Sequence, residues 1–252
     1  MKCYSVAKYN LATVKKAMII YYSIFISVLI VTSSLHKYYG DVNMVSSGVE
    51  ISTVIFLFVT GLNFFKESFY FSQSNNISRK TYVKGTILSI LSISAIASLL
   101  DIIINRVYNI FTKSPTMYDM SFTKFRDLEV LGKKSIWVQN NDIVTLLNSF
   151  LFQFSICIMV FTLGLTIVLI YYRCNKIMKT VVSIGAVMIV VVLNILADTF
   201  PKLFSEIGVF IRNILGWSTR NPYAAIGTFI VIFIILIGFI YLLVKKAIIK
   251  ER

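Results

Sequence analysis

The sequence predicts an all-α integral membrane protein with six transmembrane helices. Three observations lead there. First, 57% of the 252 residues are hydrophobic and 14% are charged, against roughly 25% charged in a soluble domain. Second, the apolar residues come in continuous runs about as long as a bilayer requires, which excludes the alternating pattern of a β-barrel. Third, the basic residues cluster between alternate runs, as the positive-inside rule demands. No internal repeat, low-complexity tract or separable soluble domain is visible, so residues 1–252 form a single transmembrane domain.

Residues 1–16 carry Lys2, Lys8, Lys15 and Lys16 and no acid, with Tyr4, Ala7, Leu11 and Val14 at helical spacing. This pattern predicts a short interfacial helix in the headgroup layer. The run Ala17–Leu35 is 19 residues long, beyond the roughly 7–15 of a signal-peptide core, and no small-x-small site follows it convincingly, so it reads as an uncleaved first span (17–35). Span two is 49–65, continuing as an amphipathic extension, and span three is 85–104, with Ser94, Ala95, Ala97 and Ser98 making a small face for close helix packing.

Residues 105–142 are a long polar segment of mixed charge. The run Ile143–Tyr172 exceeds the roughly 20 residues of a span, which places span four at 146–172, with its first turns outside the membrane. Span five is 181–200. Pro201–Gly216 is amphipathic: Leu203, Phe204, Ile207, Phe210, Ile211, Ile214 and Leu215 form one stripe, with Lys202, Glu206, Arg212 and Asn213 off it. Pro201 suits a first helical position and Gly216 a C-terminal stop. Too short and too charged to span, this helix is expected to lie on or dip into the membrane face, re-entrant-like, before span six at 223–244.

Residues 1–16, 66–84, 173–180 and 245–252 hold 15 of the 25 Lys and Arg and only two of the 11 acids, Glu67 and Glu251. Thus +13 of the net +14 lies on one face. That face is expected to be cytoplasmic, with both termini on it, in a multi-pass protein of a bacterial cytoplasmic membrane. The asymmetry accounts for the basic composition without nucleic acid. Cys3, Cys157 and Cys174 are scattered and show neither disulfide nor metal spacing.

Little in the chain carries chemistry. Leu131-Gly132-Lys133-Lys134-Ser135 is nearest to a phosphate-binding loop and fails, because Lys134 stands where Ser or Thr is needed. There is no H-E-x-x-H and no G-x-S-x-G, and His36, the single histidine, sits at a span end. The expectation is therefore a non-enzyme that holds no cofactor. Polar residues within spans are costly and often functional. Glu50, Asp101 and Asp198 fall near outer ends where water is expected to reach them. Asn194 and Asp198 share a face of span five and are candidates to line a path. Asn148, Ser155, Thr162 and Thr166 form a polar stripe on span four, for which interhelical hydrogen bonding is the favoured alternative.

The stretch Lys66–Lys84, KESFYFSQSNNISRKTYVK, stands apart. It looks helical on both sides of the break Ser74-Asn75-Asn76, with Asn76 or Ser78 placed to cap the second helix. A solvated basic turn is the plain reading; a cytoplasmic elbow that takes force from a soluble partner is the sharper one.

Here Asn75-Asn76-Ile77-Ser78-Arg79-Lys80-Thr81-Tyr82 resembles the (G/N)-x-S-R-K-x-(F/Y) segment of ABC-2-type transporter permeases. The stretch Gly164-Leu165-Thr166 to Ile170-Tyr171-Tyr172-Arg173 and the amphipathic helix before the last span also look like that family. The nearest kind is the permease of phenol-soluble-modulin or peptide-toxin exporters. The resemblance covers the layout of the whole chain. It implies a membrane subunit that pairs with a second copy, most simply as a homodimer. Two separate cytoplasmic ABC ATPase subunits would bind the ATP and magnesium. The substrate would be an amphipathic peptide or lipid-like molecule, moved out through the lipid membrane. It also implies that Asn75, Asn76, Ser78, Arg79 and Lys80, with the helix at 4–16, contact the ATPase. The helix bearing Phe204, Ile207, Phe210 and Ile211 would occupy an outer gate. The alternative is a non-pumping immunity or sensor protein that binds a toxin.

Overall fold

A computed structural model describes residues 2–39, 47–133, 137–245 and 247. Among these residues the fold is helical: α1 (Lys2–Tyr39), α2 (Ile51–Ser74), α3 (Arg79–Tyr108), α4 (Met117–Phe122), α5 (Phe125–Val130), α6 (Ile143–Arg173), α7 (Lys176–Thr199), α8 (Pro201–Ile214) and α9 (Pro222–Lys245). Five of them, α1, α2, α3, α6 and α9, are long and apolar enough to cross a membrane. They form the bundle, with α6 packed between α2 and α9, and α3 between α1 and α6.

The expected separate interfacial helix is corrected by this arrangement. Residues 2–39 form one unbroken helix. The reason lies in the sequence: no glycine or proline occurs before Gly40, and the lysines at 15 and 16 interrupt hydropathy without interrupting helix. The second span likewise continues nine residues past Phe65, to Ser74, before the chain breaks.

The core is aromatic toward the elbow. Phe69 meets Tyr82 edge-on at 5.5 Å, and Phe65 meets Tyr172 at 5.0 Å. Deeper in, α2 and α6 cross glycine on glycine. A Cβ on Gly61 would stand 2.3 Å from the Phe161 carbonyl oxygen, and one on Gly164 would stand 2.4 Å from that of Phe58. Two helices approach this closely in lipid only through small residues. The small face of α3 is also buried, at Ser94, Ala97 and Ser98.

The segment after α3 folds back over the bundle end opposite the elbow. The side chain of Thr116 accepts from the Asp119 backbone N–H while the Asp119 carboxylate accepts from Thr116, a reciprocal cap that starts α4. Glu50 accepts from the Met117 backbone N–H at 3.2 Å. Asn105 donates to the Ser114 carbonyl at 3.1 Å, and Arg220, before α9, pairs with Asp127.

In α8 the Pro201 start and Gly216 stop are as expected. Gly216 has φ +65°, and Trp217 N–H reaches the Arg212 carbonyl at 2.9 Å, closing a Schellman turn. No residue of α8 is buried. Leu203, Ile207, Phe210 and Ile211 are exposed and Phe204 is half-buried.

Candidate functional site

The elbow is a pair of helix caps sharing four residues. Helix α2 ends in a Schellman turn: Asn76 takes φ +50°, its N–H reaches the Gln73 carbonyl at 3.0 Å, and Ile77 N–H reaches that of Ser72 at 2.9 Å. Asparagine tolerates the left-handed region better than other side chains save glycine. Ile77 then drops into the core, 7% exposed. Ser78 caps α3, accepting from the Thr81 backbone N–H at 3.2 Å. Of the two capping candidates, Ser78 is the N-cap of α3, and Asn76 serves the end of α2.

These caps leave Asn75, Asn76, Ser78 and Lys80 exposed. Arg79 is different. It is half-buried, and its guanidinium donates to the Lys245 carbonyl and, at 3.4 Å, to that of Val244. A cation on the last carbonyls of α9 stabilises that helix end. Ser78→Ala is expected to cost about 1 kcal/mol, seen as a lower thermal midpoint with no change in the rest of the fold.

The first turns of α1 brace the elbow from the side. Tyr9 stacks on Phe71 with centroids 3.7 Å apart. A Cβ on Gly85 would come within 2.7 Å of Val6 Cβ. Asn10, 1% exposed, accepts from Ser68 at 2.6 Å and donates to Ser89 at 3.0 Å, tying three helices together. Asn10 was not singled out from the sequence. Its signal is its place between Val6 and Val14 on one helical face.

A second polar centre lies deeper, at Asp101. Its Oδ1 accepts from Tyr22 at 3.0 Å and Thr53 at 2.9 Å, and its Oδ2 accepts from Gln153 at 3.0 Å. One carboxylate thus joins α1, α2, α3 and α6. Tyr21 extends the cluster to Ser52 at 2.7 Å. The expectation that water reaches Glu50 and Asp101 is corrected here, because they are 5% and 2% exposed. The folded-back segment meets Glu50 through the Met117 N–H, while side chains of α1, α2 and α6 enclose Asp101.

Glu50 precedes α2. Burial pushes its carboxyl up from 4.5 to about 8, Asp101 adds repulsion, and the Met117 N–H pulls the other way. The folded state therefore holds the proton more tightly than the unfolded one. Its contribution is full below pH about 4.5 and is lost as pH rises through about 8. The thermal midpoint should fall over that window, and Glu50→Gln should flatten the fall.

The path candidates are placed apart. Asn148 on α6 accepts from Tyr223 of α9 at 3.0 Å, while Asn194 and Asp198 are exposed on α7, which packs on α8. Asn148 thus makes the bond between helices that the stripe on α6 was expected to supply, but the buried hydroxyls of the stripe are bonded within α6 among the described residues. Ser155, Thr162 and Thr166 donate to Phe152, Ile158 and Thr162 carbonyls of their own helix. The side chain of His36 and residues 134–136 lie outside the described residues. Among the described residues no cluster of His, Cys, Asp or Glu is arranged to hold a metal. No protein-family model matches this chain, and no curated protein or solved structure matches it either.

Proposed function

We propose that this chain is the membrane-spanning permease subunit of an ATP-binding-cassette exporter of the ABC-2 type, moving an amphipathic peptide or similar hydrophobic substrate outward. The observation that carries the reading is the elbow. Both its helices are capped on the break, so a push there cannot be absorbed by fraying. Its exposed surface is Asn75, Asn76, Ser78 and Lys80, and the first turns of α1 stand beside it. In this reading α7 is the fifth of six spans, α8 lies re-entrant at the outer gate, and both termini face the cytoplasm. The functional unit is a homodimer with two ATPase subunits docked on the elbows. The chain itself is not an enzyme.

The test is co-purification in detergent with the ATPase encoded beside it, followed by ATP hydrolysis with and without amphipathic peptides. A stable complex whose hydrolysis responds to peptide supports export; a chain that purifies alone refutes it in favour of a binding or immunity protein. Lys80→Glu is the clean elbow variant, because Lys80 is exposed while Arg79 also holds the end of α9. It should abolish peptide-stimulated hydrolysis without moving the thermal midpoint. The double variant with Arg79→Glu should lose both. Unchanged coupling in Lys80→Glu would sink the assignment of the elbow.

A further inference from the structure

A recess of about 320 Å³ opens between α1 and α2 at the elbow end of the bundle. Its walls are unlike the bilayer-facing surface around it. Phe56 and Phe64 give it an apolar, aromatic side, while Thr13, Thr60, Asn63 and Glu67 line the rest. On α2 the residues at 60, 63, 64 and 67 share one face by helical spacing. The polar groups share a property. Thr13 donates to the Tyr9 carbonyl, Thr60 to that of Phe56 and Asn63 to that of Val59, each within its own helix. Their oxygens keep their acceptor capacity. Among the described residues no lysine or arginine lines the recess. Glu67 is exposed, and no ion pair holds it among the described residues. On a face carrying 15 Lys and Arg and two acids, an unpaired carboxylate set among acceptors and rings is complementary to one kind of group. That group is a cation with several donors, no acceptor and an apolar stem.

We propose that this recess binds a primary ammonium on an apolar chain, the end of a lysine side chain in an amphipathic peptide. The ammonium meets Glu67 and the threonine and asparagine oxygens, and the methylene stem lies against Phe56 and Phe64. As a statement about substrate the inference rests on the exporter reading, which makes the recess an entry site open to the inner leaflet. As a statement about binding it stands without any ATPase.

The experiment uses the full chain in phosphatidylcholine nanodiscs and a fluorescent Leu/Lys amphipathic peptide, with binding to empty discs subtracted. Acetylating the peptide lysines is expected to weaken binding about tenfold. Glu67→Gln should erase that preference with an unchanged thermal midpoint, and Glu206→Gln on α8 should keep it. Equal affinity for native and acetylated peptide overturns the proposal, as does a preference that survives Glu67→Gln. Displacement of the peptide by phosphatidylethanolamine doped into the discs overturns the peptide as occupant and assigns the recess to a lipid headgroup. No ATPase is present, so failure here leaves the co-purification result untouched, and failure there leaves this one.

Discussion

Gly61→Val lowers the thermal unfolding midpoint in detergent by roughly 6–12 °C, and Gly164→Val does the same. At both positions the nearest atom to an added Cβ is a backbone oxygen of the facing helix, at 2.3 and 2.4 Å. A flexible side chain could turn aside, but a helix backbone cannot, so α2 and α6 must separate along their whole contact. Overpacking of this kind costs about 3 kcal/mol or more, and a chain of this size loses roughly 2–4 °C per kcal/mol. The gain in helix propensity on leaving glycine, below about 1 kcal/mol for valine, is too small to compensate. Gly238→Val in α9 is the control, since nothing lies within 4 Å of its added Cβ. If it moves the midpoint as far as Gly61→Val, the close crossing is not what holds these helices.

Asp101→Ala is the other large effect. It removes the acceptor for Tyr22, Thr53 and Gln153 at once. Hydrogen bonds between helices in a bilayer are worth about 0.6–1.7 kcal/mol each, so three give roughly 2–5 kcal/mol. Asp101→Asn should cost about 1 kcal/mol or less. Its oxygen still accepts from the hydroxyls, its amide can donate to a turned Gln153, and Tyr22 already has the Ala97 carbonyl at 3.1 Å. Equal losses for Ala and Asn would show that charge, not the pairing geometry, is what the site requires. A cycle combining Asp101→Ala with Thr53→Val isolates one arm of the cluster.

The helices were legible because a bilayer imposes length and apolarity on them, and the five long apolar helices fall where the runs do. The elbow was legible too, since Asn75-Asn76 and Ser78 are strong local signals that need no tertiary contact. What escaped depended on partners far away in sequence. Asp101 looks interfacial when counted from the end of its run; Tyr22, Thr53 and Gln153, brought to it by three other helices, enclose it. Gly61 and Gly164 are single glycines in separate runs, and nothing local says that they face one another. The interfacial reading of residues 1–16 failed for the opposite reason. Lysines suggested a boundary, but hydropathy boundaries are not helix boundaries unless a breaker coincides with them.

Helix α1 is one rigid piece from Lys2 to Tyr39. Its 38 residues span about 57 Å at 1.5 Å per residue, nearly twice the roughly 30 Å of a hydrocarbon core. It contains no glycine or proline at which to bend. One end leans on the elbow through Val6 and Tyr9, and near its midpoint Tyr22 is bonded to Asp101. That is a beam resting on a fulcrum, with arms of about 30 and 26 Å. A tilt of about 10° imposed at the elbow would swing the opposite end by roughly 4–5 Å, the other way, with no intervening joint to lose the motion.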